Sequence, residues 1–295
     1  MTKARRTLEL RANQTSRNGA LIKALPAASF NGARTKGKRG FQLPVRILRK
    51  GPRGDRARAL AARVWRCRRG RRCMSPACPL CAQAAQSLLA SIAEKFVREH
   101  QAECRIAFVT LIPPNSLVRM GNLRAFNLAN FKRRVRDGLV KSSALWAVGS
   151  VDFTLNEGQD RACEMNWLPH VHLIAATDDI DELARDLRAA FPRSDHAPRP
   201  VMVKEWDGDS RVFAYIFKAN FSRRISVANT KRFNKKTGEN RFCRGTTYER
   251  LRVSERIELA LYLDAVGLDG RLLFRNARLY RAEKSVRIHV ANEKR

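Results

Sequence analysis

Two histidines, set two residues apart in an apolar run, are the best placed residues of this sequence to do chemistry. They are His170 and His172, in the segment 167–173, Trp-Leu-Pro-His-Val-His-Leu. Alternate side chains of a strand share a face, so both imidazoles would point one way and Val171 the other. Two imidazoles on one face can hold one metal ion. The alternative is two ordinary histidines, one capping a loop and the other half-buried.

An aspartate on a neighbouring strand is a candidate third ligand. Residues 146–155 and 168–175 have the composition of two antiparallel strands, joined by a polar loop at 156–167. A register that pairs Asp152 with His172 puts the carboxylate on the histidine face. A slip of one residue would send Asp152 to the other face, and a solvated acid at a strand edge is the alternative.

A tyrosine and a lysine lie together on a helix that we expect to begin at Asp209 or Ser210. Arg211, Tyr215 and Lys218 fall at positions i, i+4 and i+7, on one face of that helix. A cationic neighbour favours the phenolate, which is the nucleophilic form of tyrosine. The alternative is a tyrosine that only packs on an amphipathic helix.

Four of the seven cysteines lie within fifteen residues of one another, as Cys67, Cys73, Cys78 and Cys81. Four thiolates give Zn²⁺ its closed tetrahedral shell, and the C-x2-C pair supplies two adjacent ligands. Arginines close to the sulfurs would favour the thiolate form. Because such a site has no open coordination position, its role would be structural and would help to dock DNA. The alternative is a set of unligated thiols or a redox pair.

The charge of the chain indicates a nucleic-acid partner. Lys and Arg number 59 against 27 Asp and Glu, a net charge of +32 in 295 residues. The first 72 residues hold 22 of the basic residues and two of the acidic ones. A basic arm on a less charged body suits the neutralisation of DNA phosphates and salt-sensitive binding.

The sequence shows neither a membrane helix nor a secretory signal. No apolar stretch is long enough for a membrane span, and the N-terminal segment lacks a continuous apolar region. An odd number of cysteines, four of them clustered, argues against an extracellular disulfide framework. We therefore predict a protein of a reducing cytoplasm without a membrane partner. The alternative is an organelle protein, since an Arg-rich, acid-poor start also describes a transit peptide.

The elements that must position these residues fall into four zones. Residues 1–60 are expected to be a largely disordered basic arm. Residues 61–100 hold the cysteine module and a helix over 82–99. A compact body follows over 101–222, and 223–295 form a basic extension that packs on the body or follows it.

Hydrophobic spacing predicts a mixture of strands and helices, and therefore an α+β fold. In addition to the two strands and the tyrosine helix, the body is expected to contain strand 105–112, helix 123–140, helix 180–190 and a short strand near 200–205. The extension is expected to begin with a basic polar loop over 223–236 and to continue with a helix near 252–264 and strands at 271–275 and 285–291.

Three segments, in this order, resemble the three motifs of the HUH endonucleases, particularly the Rep initiators of rolling-circle plasmids and phages. They are Phe108-Val-Thr-Leu-Ile-Pro, then Trp167 to Leu173, then Tyr215-Ile-Phe-Lys. The resemblance covers about residues 60–220, since several Rep proteins also carry an upstream cysteine cluster. It implies a central antiparallel sheet flanked by helices, with both histidines on a central strand.

The resemblance also implies a mechanism. His170 and His172, with Asp152 as the candidate acidic ligand, would hold Mg²⁺ or Mn²⁺ against a scissile phosphate of single-stranded or hairpin origin DNA. Tyr215 would attack phosphorus and leave a 5′-phosphotyrosyl link and a free 3′-OH, while Lys218 would stabilise the phenolate or the charge at phosphorus. The protein would then be a metal-dependent nickase of the bacterial cytoplasm or nucleoid that works with a host helicase and polymerase.

Two positions depart from the family. Some Rep proteins have a glutamate four residues before the nucleophile and others a second tyrosine one turn after it, where this chain has Arg211 and Ala219. Glu205, Asp207 and Asp209 are nearby acidic candidates to activate water, or else they mark a strand end and a helix cap. Alternatives to the initiator are a transposase or mobilisation relaxase of the same chemistry, and a non-catalytic zinc-containing nucleic-acid-binding protein.

Overall fold

The structure is a computed structural model that describes residues 54–68, 70–157, 165–233, 240–282 and 285–291. The predicted basic arm lies outside the described residues as far as residue 53. Its last part, 54–60, is helical, so the predicted disorder is wrong there. The reason is burial, because Ala57 and Leu60 pack in a small apolar cluster with the cysteines.

The described residues form six α-helices and ten β-strands. The helices are α1 (Gly54–Trp65), α2 (Pro79–His100), α3 (Leu128–Val140), α4 (Ile180–Ala190), α5 (Arg211–Ile216) and α6 (Val253–Val266). The strands are β1 (Arg105–Leu111), β2 (Val118–Arg119), β3 (Trp146–Glu157), β4 (Asn166–Thr177), β5 (Val201–Glu205), β6 (Ser222–Phe233), β7 (Asn240–Arg250), β8 (Leu272–Arg275), β9 (Ala277–Ala282) and β10 (Ser285–Val290). Among the described helices, none combines the length and apolar character that crossing a bilayer would take.

The predicted helix 123–140 is divided into two pieces. Residues Leu123–Ala125 form a 3₁₀ turn, and α3 begins only at Leu128. Asn127 separates the two, since its side chain accepts a hydrogen bond from the backbone N–H of Asn130 at 2.9 Å and so caps α3.

A curled mixed sheet lies at the centre of the molecule, in the order β5-β1-β4-β3-β6-β7, with β2 added to β4 and β8 added to β3. Its neighbouring strands are antiparallel except β3 and β6, which run parallel over Leu155–Glu157 and Arg223–Ile225. The predicted α+β class is confirmed, whereas a wholly antiparallel sheet is wrong. After β5 the chain passes through α5 and then forms β6, which lies beside β3 and runs parallel to it.

The strand β3 links the early and late parts of the chain. One of its edges pairs with β4, and the other edge is divided between β8, opposite Ala147–Ser150, and β6, opposite Leu155–Glu157. Between these two pairings the Val151 N–H donates to the carbonyl of Arg271 at 2.9 Å. The sheet therefore continues beyond residue 222, the predicted end of the body.

The register between β3 and β4 sets Asp152 opposite His170 and Ser150 opposite His172. The predicted pairing of Asp152 with His172 is wrong by two positions, because both strands extend beyond their predicted ends to the pair formed by Asn156 and Asn166. A shift of two leaves every side chain on its own face. The carboxylate consequently stays with the histidines.

Each face of the sheet is covered by different elements. One face packs against α3, α4 and α6, with Val151 in its core. The other face packs against α2, α5 and the β9–β10 hairpin, with Ile174 in its core. Because strand side chains alternate, Asp152, His170 and His172 belong to the second face, which α5 covers.

The basic segment predicted as a loop over 223–236 is the strand β6 as far as Phe233, and this prediction is corrected. Arg223 gives the physical reason. Its side chain is buried at 5% exposure, and its guanidinium binds Glu157 at 2.9 Å and also Glu249. An arginine held by two carboxylates can occupy a buried strand position that hydropathy assigns to solvent.

Glu258 of α6 supports the start of β4 and the turn before α3. Its carboxylate, 3% exposed, accepts hydrogen bonds from the backbone N–H of Gly121 and Leu123 at 2.9 Å and from Nε1 of Trp167 at 3.1 Å. Since three donors depend on it, two of them on the buried residues Leu123 and Trp167, we expect Glu258→Ala to lower the free energy of unfolding by about 3–5 kcal/mol in urea titrations. Glu258→Gln, which keeps one acceptor oxygen, should lose about half as much. Equal stability of the alanine variant and the wild type would contradict this role.

Candidate metal centre and tyrosine site

Asp152, His170 and His172 form a buried cluster on the face of the sheet that α5 covers. Oδ2 of Asp152 lies 3.1 Å from Nε2 of His170 and 3.8 Å from Nε2 of His172. The two Nε2 atoms are 3.1 Å apart. All three side chains are buried, Asp152 at 1% exposure, and their ligand atoms lie close enough together to hold one metal ion.

Hydrogen bonds orient the two imidazoles towards the cluster. Nδ1 of His170 lies 3.0 Å from the carbonyl oxygen of Leu168, and Nδ1 of His172 lies 3.0 Å from Oγ1 of Thr110. A carbonyl can only accept, so the neutral ring of His170 carries its proton on Nδ1. Its Nε2 lone pair then points into the cluster, as metal-ligating histidines require.

Burial and neighbouring charged groups together set the protonation states in the cluster. Burial, together with the neighbouring His170, lowers the pKa of His172 to about 3, so that this imidazole is neutral at pH 7. Burial also acts to raise the pKa of Asp152, but His170 and Lys218 outweigh it and hold that pKa well below its usual range. The cluster therefore offers one carboxylate and a neutral imidazole, which are the forms that bind metals.

The donor set fits a divalent cation. Oδ1 of Asp152 is buried and has no hydrogen-bond partner among the described residues. Leaving a buried carboxylate oxygen unpaired is costly, and a cation held by Asp152, His170 and His172 would remove that cost. Of the predicted ions, Mn²⁺ accepts a mixed nitrogen and oxygen set more readily than Mg²⁺, whose usual ligands are oxygens.

Tyr215 and Lys218 lie against this cluster. The ring centroid of Tyr215 is 4.7 Å from that of His172 and 6.1 Å from that of Phe108. Nζ of Lys218 is 4.8 Å from the Tyr215 ring centroid and 2.7 Å from Oδ2 of Asp152. Tyr215 is 46% exposed, so a ligand in solvent can reach it while one side of its ring contacts the cluster.

Lys218 favours the phenolate of Tyr215, as predicted, but burial outweighs it in the protein without a ligand. Burial raises the pKa of Tyr215, Lys218 lowers it by less, and the negative charge of Asp152 adds to the increase. The ammonium of Lys218 lies closer to the carboxylate of Asp152, at 2.7 Å, than to the phenol ring centroid, at 4.8 Å. The phenol is therefore protonated at neutral pH.

The helix that carries Tyr215 is shorter than predicted. Helix α5 ends at Ile216, so Lys218 follows the helix instead of lying on one of its faces. Arg211 does not join the site; its side chain is 91% exposed and pairs with Asp209 at 2.8 Å. The Asp209 carboxylate also accepts a hydrogen bond from the backbone N–H of Arg211 at 2.9 Å. Of the two predicted caps, Asp209 and Ser210, it is therefore Asp209 whose side chain binds the start of the helix.

Three side chains from other elements hold the tyrosine segment by its carbonyl groups. Nε2 of Gln86 in α2 donates to the carbonyl of Ala214 at 2.8 Å, and Oγ of Ser150 in β3 donates to that of Ile216 at 2.5 Å. Arg271 donates to the carbonyl of Lys218 at 3.2 Å and, through its other nitrogen, to that of Val151 at 3.2 Å. We call these three donors, Gln86, Ser150 and Arg271, the carbonyl clamp. Sequence reasoning misses it, and only the place of Ser150 two residues before Asp152 gives a signal for it.

The three acidic candidates for water activation all make local structural contacts. Glu205 at the end of β5 pairs with Arg105 at 2.9 Å. Asp207 accepts from the N–H of Asp209 at 3.0 Å, and Asp209 binds the start of α5. These contacts correspond to the strand end and the helix cap of the structural interpretation. A role in activating water stays a prediction.

Lys218→Gln is expected to bind Mn²⁺ about tenfold more tightly than the wild type, because the ammonium and a divalent cation compete for the Asp152 carboxylate. The measurement is the rise in Tm across a Mn²⁺ titration, compared with the Tm of the same variant in EDTA. Lys204→Gln, an exposed lysine of β5, is the matched control and should behave as the wild type. Equal Mn²⁺ affinities of all three proteins would contradict competition at this carboxylate.

The four predicted cysteines form a second, separate cluster. Sγ of Cys81 lies 3.6 Å from that of Cys67 and 3.7 Å from that of Cys73, and with Cys78 the four sulfurs could hold a metal ion such as zinc. Contact with the sulfurs of Cys73 and Cys81, together with burial, raises the pKa of the Cys78 thiol. A divalent cation would relieve the repulsion between thiolates in this buried space.

Local structure brings these sulfurs together. Cys67 follows the end of α1, while Cys78 and Cys81 flank the beginning of α2 at Pro79. Two nearby arginines donate to backbone carbonyls, Arg68 to that of Cys67 at 2.8 Å and Arg72 to that of Leu80 at 3.3 Å. An apolar cluster that includes the cysteines and Ile257 packs the module on α6.

The described structure thus defines a class of protein: a strongly basic α+β chain with a buried cysteine cluster and, apart from it, a His-His-Asp cluster beside a half-exposed tyrosine. Comparisons of the chain with protein-family models, with curated proteins and with solved structures found no match.

Proposed function

We propose that this protein is a rolling-circle replication initiator that nicks and rejoins single-stranded origin DNA, with an HUH-like nuclease fold. The observation that carries the proposal is the position of Tyr215, whose ring is 4.7 Å from His172 in the His-His-Asp cluster and which Lys218 also contacts. A nucleophile, a cation site and an ammonium group at one point are what the transfer of a phosphodiester to tyrosine requires. The place of both histidines on β4, between β1 and β3, supports the same class.

In the proposed reaction Oη of Tyr215 attacks the phosphorus of one phosphodiester. The new bond joins Oη to phosphorus, and the bond from phosphorus to the 3′ oxygen breaks. The phenol loses its proton and the departing 3′ oxygen gains one, so that the products are a 5′-phosphotyrosyl link and a free 3′-OH. No co-reactant is needed, and the energy of the phosphodiester is conserved for rejoining when a 3′-OH attacks the link.

The residues around Tyr215 have distinct roles. Lys218, whose Nζ lies between the phenol ring and Asp152, stabilises negative charge on Oη as the proton leaves. Asp152, His170 and His172 would hold Mn²⁺ or Mg²⁺, which when bound draws charge from the phosphate oxygens. The carbonyl clamp keeps the tyrosine segment against β3, so that the nucleophile is oriented before DNA arrives.

The charge of the chain supports a DNA substrate. A net charge of +32 supplies the phosphate neutralisation that dominates the affinity of DNA-binding proteins. The free 3′-OH is a primer end, which a host polymerase would extend behind a host helicase. The cysteine cluster has four ligands and lies apart from Tyr215, so its role is structural and its proposed ion is Zn²⁺.

The test is the covalent intermediate. Labelled single-stranded oligonucleotides that tile the replicon encoding the protein are incubated with it in Mn²⁺ or in EDTA and resolved on a denaturing gel. We expect one tile to give a labelled protein band in Mn²⁺ and none in EDTA, because the ligand cluster needs its cation to activate the phosphate. The lack of a covalent band with every tile would contradict the proposed function.

A further inference from the structure

A cavity of about 530 Å³ lies beside the tyrosine segment. Its walls come from four places in the chain: the loop of the cysteine module at Pro76 and Ala77, residues 219–221 after Lys218, the end of β7, and α6. Its lining residues include neither a member of the His-His-Asp cluster nor Tyr215, Lys218 or a residue of the carbonyl clamp. Its volume exceeds that of a single nucleobase and is typical of a small-ligand site.

The lining of the cavity combines apolar walls with cations. Phe221, Leu259 and Leu263 give it a largely apolar interior, and Arg250 and Arg256 add two guanidinium groups. No acidic residue is among the described residues that line it, and neither arginine pairs with a described carboxylate. A ligand that fits this lining has a flat ring that stacks or packs and a phosphate that binds arginine.

The cavity is connected to Lys218 by a short segment of the chain and by Arg271. Only Ala219 and Asn220 separate Lys218 from Phe221, a span of at most about 10 Å between Cα atoms. Arg271 links the two ends, since it donates to the carbonyl of Lys218 at 3.2 Å and its guanidinium lies 5.1 Å from the Phe221 ring centroid. A chain that occupied the cavity would pass directly beside the tyrosine site.

We infer that this cavity binds one unpaired nucleotide of the DNA strand that Tyr215 cleaves, with its base against Phe221 and α6 and its phosphate at Arg250 and Arg256. The inference rests on the proposed function and adds to it. A base held at a set distance from Tyr215 fixes which phosphate of the strand lies at the nucleophile. The cavity therefore selects the cleavage position, and the cysteine module contributes to that selection through Ala77.

The test measures binding without chemistry, by fluorescence anisotropy of the full chain without added Mn²⁺ or Mg²⁺ and without a chelator, so that the proposed structural zinc stays in place. The probes are a fluorescein-labelled oligo(dT) and an oligonucleotide of the same length whose sugars all lack bases. Ala260→Trp fills the cavity from α6 and Ala77→Phe fills it from the cysteine module. Each should weaken oligo(dT) binding about tenfold and change binding of the abasic probe by less than about twofold, since only the base contact is lost.

Matched controls separate this effect from general damage. Ala265→Trp places the same side chain on an exposed position of α6, and should leave both probes unaffected. Arg256→Gln should weaken both probes, whereas Arg188→Gln, on the exposed side of α4, removes the same charge and should change neither by more than about twofold. Tm values within a few degrees of wild type for all variants show that the fold is intact.

Two results would overturn the inference. One is an affinity for oligo(dT) that is the same in both cavity-filling variants as in Ala265→Trp. The other combines two observations: free dTMP displaces a fluorescent mononucleotide from the cavity, and Ala260→Trp has no effect on the binding of oligo(dT). That result would show that the cavity binds a free nucleotide and not a nucleotide of the DNA strand. Because these measurements need no cleavage, a failed covalent assay with intact cavity effects would reject the nickase and keep the nucleotide site.

Discussion

Tyr215→Phe should abolish the covalent protein–DNA band and lower nicking by roughly a thousandfold or more, while leaving DNA affinity within about twofold. The substitution removes only the attacking oxygen, since the ring keeps its contacts with His172, Phe108 and Lys218. Affinity is dominated by phosphate contacts with basic residues, which the variant retains. The measurement is a denaturing gel with the oligonucleotide that the wild type cleaves, alongside anisotropy with the same strand without added Mn²⁺ or Mg²⁺ and without a chelator.

Tyr248→Phe is the matched control for this variant. Tyr248 is exposed at 67% and lies close enough for its charge to raise the pKa of Tyr215. It should keep the covalent band at the wild-type level. A band that persists in Tyr215→Phe and disappears in Tyr248→Phe would show that the nucleophile is Tyr248 of β7 and not Tyr215 of α5.

Cys78→Ser combined with Cys81→Ser is expected to remove zinc from the protein and to unfold the cysteine module. In structural zinc sites the free energy of metal binding is folding free energy, of the order of 10 kcal/mol, and serine does not replace a thiolate. The zinc content should fall from about one ion per chain to none, measured by elemental analysis. The part of the chain that includes α1 and the start of α2 should become sensitive to limited proteolysis, since its apolar cluster is built around Cys67, Cys78 and Cys81.

Cys104→Ser provides the control for the loss of a thiol. Cys104 is outside the cluster, and its thiol donates to the carbonyl of His100 at 3.4 Å. This variant should keep both its zinc and its resistance to proteolysis. Full zinc content in the double variant would show that the four sulfurs are not the zinc site.

The elements with strong local signals could be predicted from the sequence. Helix 180–190 matches α4 at both ends, because Asp179 caps it through hydrogen bonds to the N–H groups of Asp181 and Glu182 and buried Leu183 and Leu187 mark one face. The H-x-H spacing likewise needs only the two-residue period of a strand. The register error of two positions did not separate Asp152 from the histidines, since every even shift preserves the face.

The parts that could not be predicted depend on contacts between distant residues. The carbonyl clamp joins positions that are 128, 66 and 53 residues apart. Hydrophobic periodicity carries information about neighbours within a turn or a strand, and it contains none about such pairs. The same limit explains β6, whose buried Arg223 depends on Glu157 and Glu249, two carboxylates contributed by β3 and β7.

The divided edge of β3 affects the order in which the molecule can be completed during synthesis. Tyr215 and the strands that carry the histidines leave the ribosome before Arg271 and β8, which hold Lys218 and close the second edge of β3. At about 5–20 residues per second, the 53 positions between Lys218 and Arg271 correspond to a delay of about 3–11 s. A prematurely terminated product would therefore contain the tyrosine without one of the donors that position it. Tyr215 is therefore fully positioned only after synthesis has passed residue 275. A chain that ends earlier contains the tyrosine but does not hold it in place for attack.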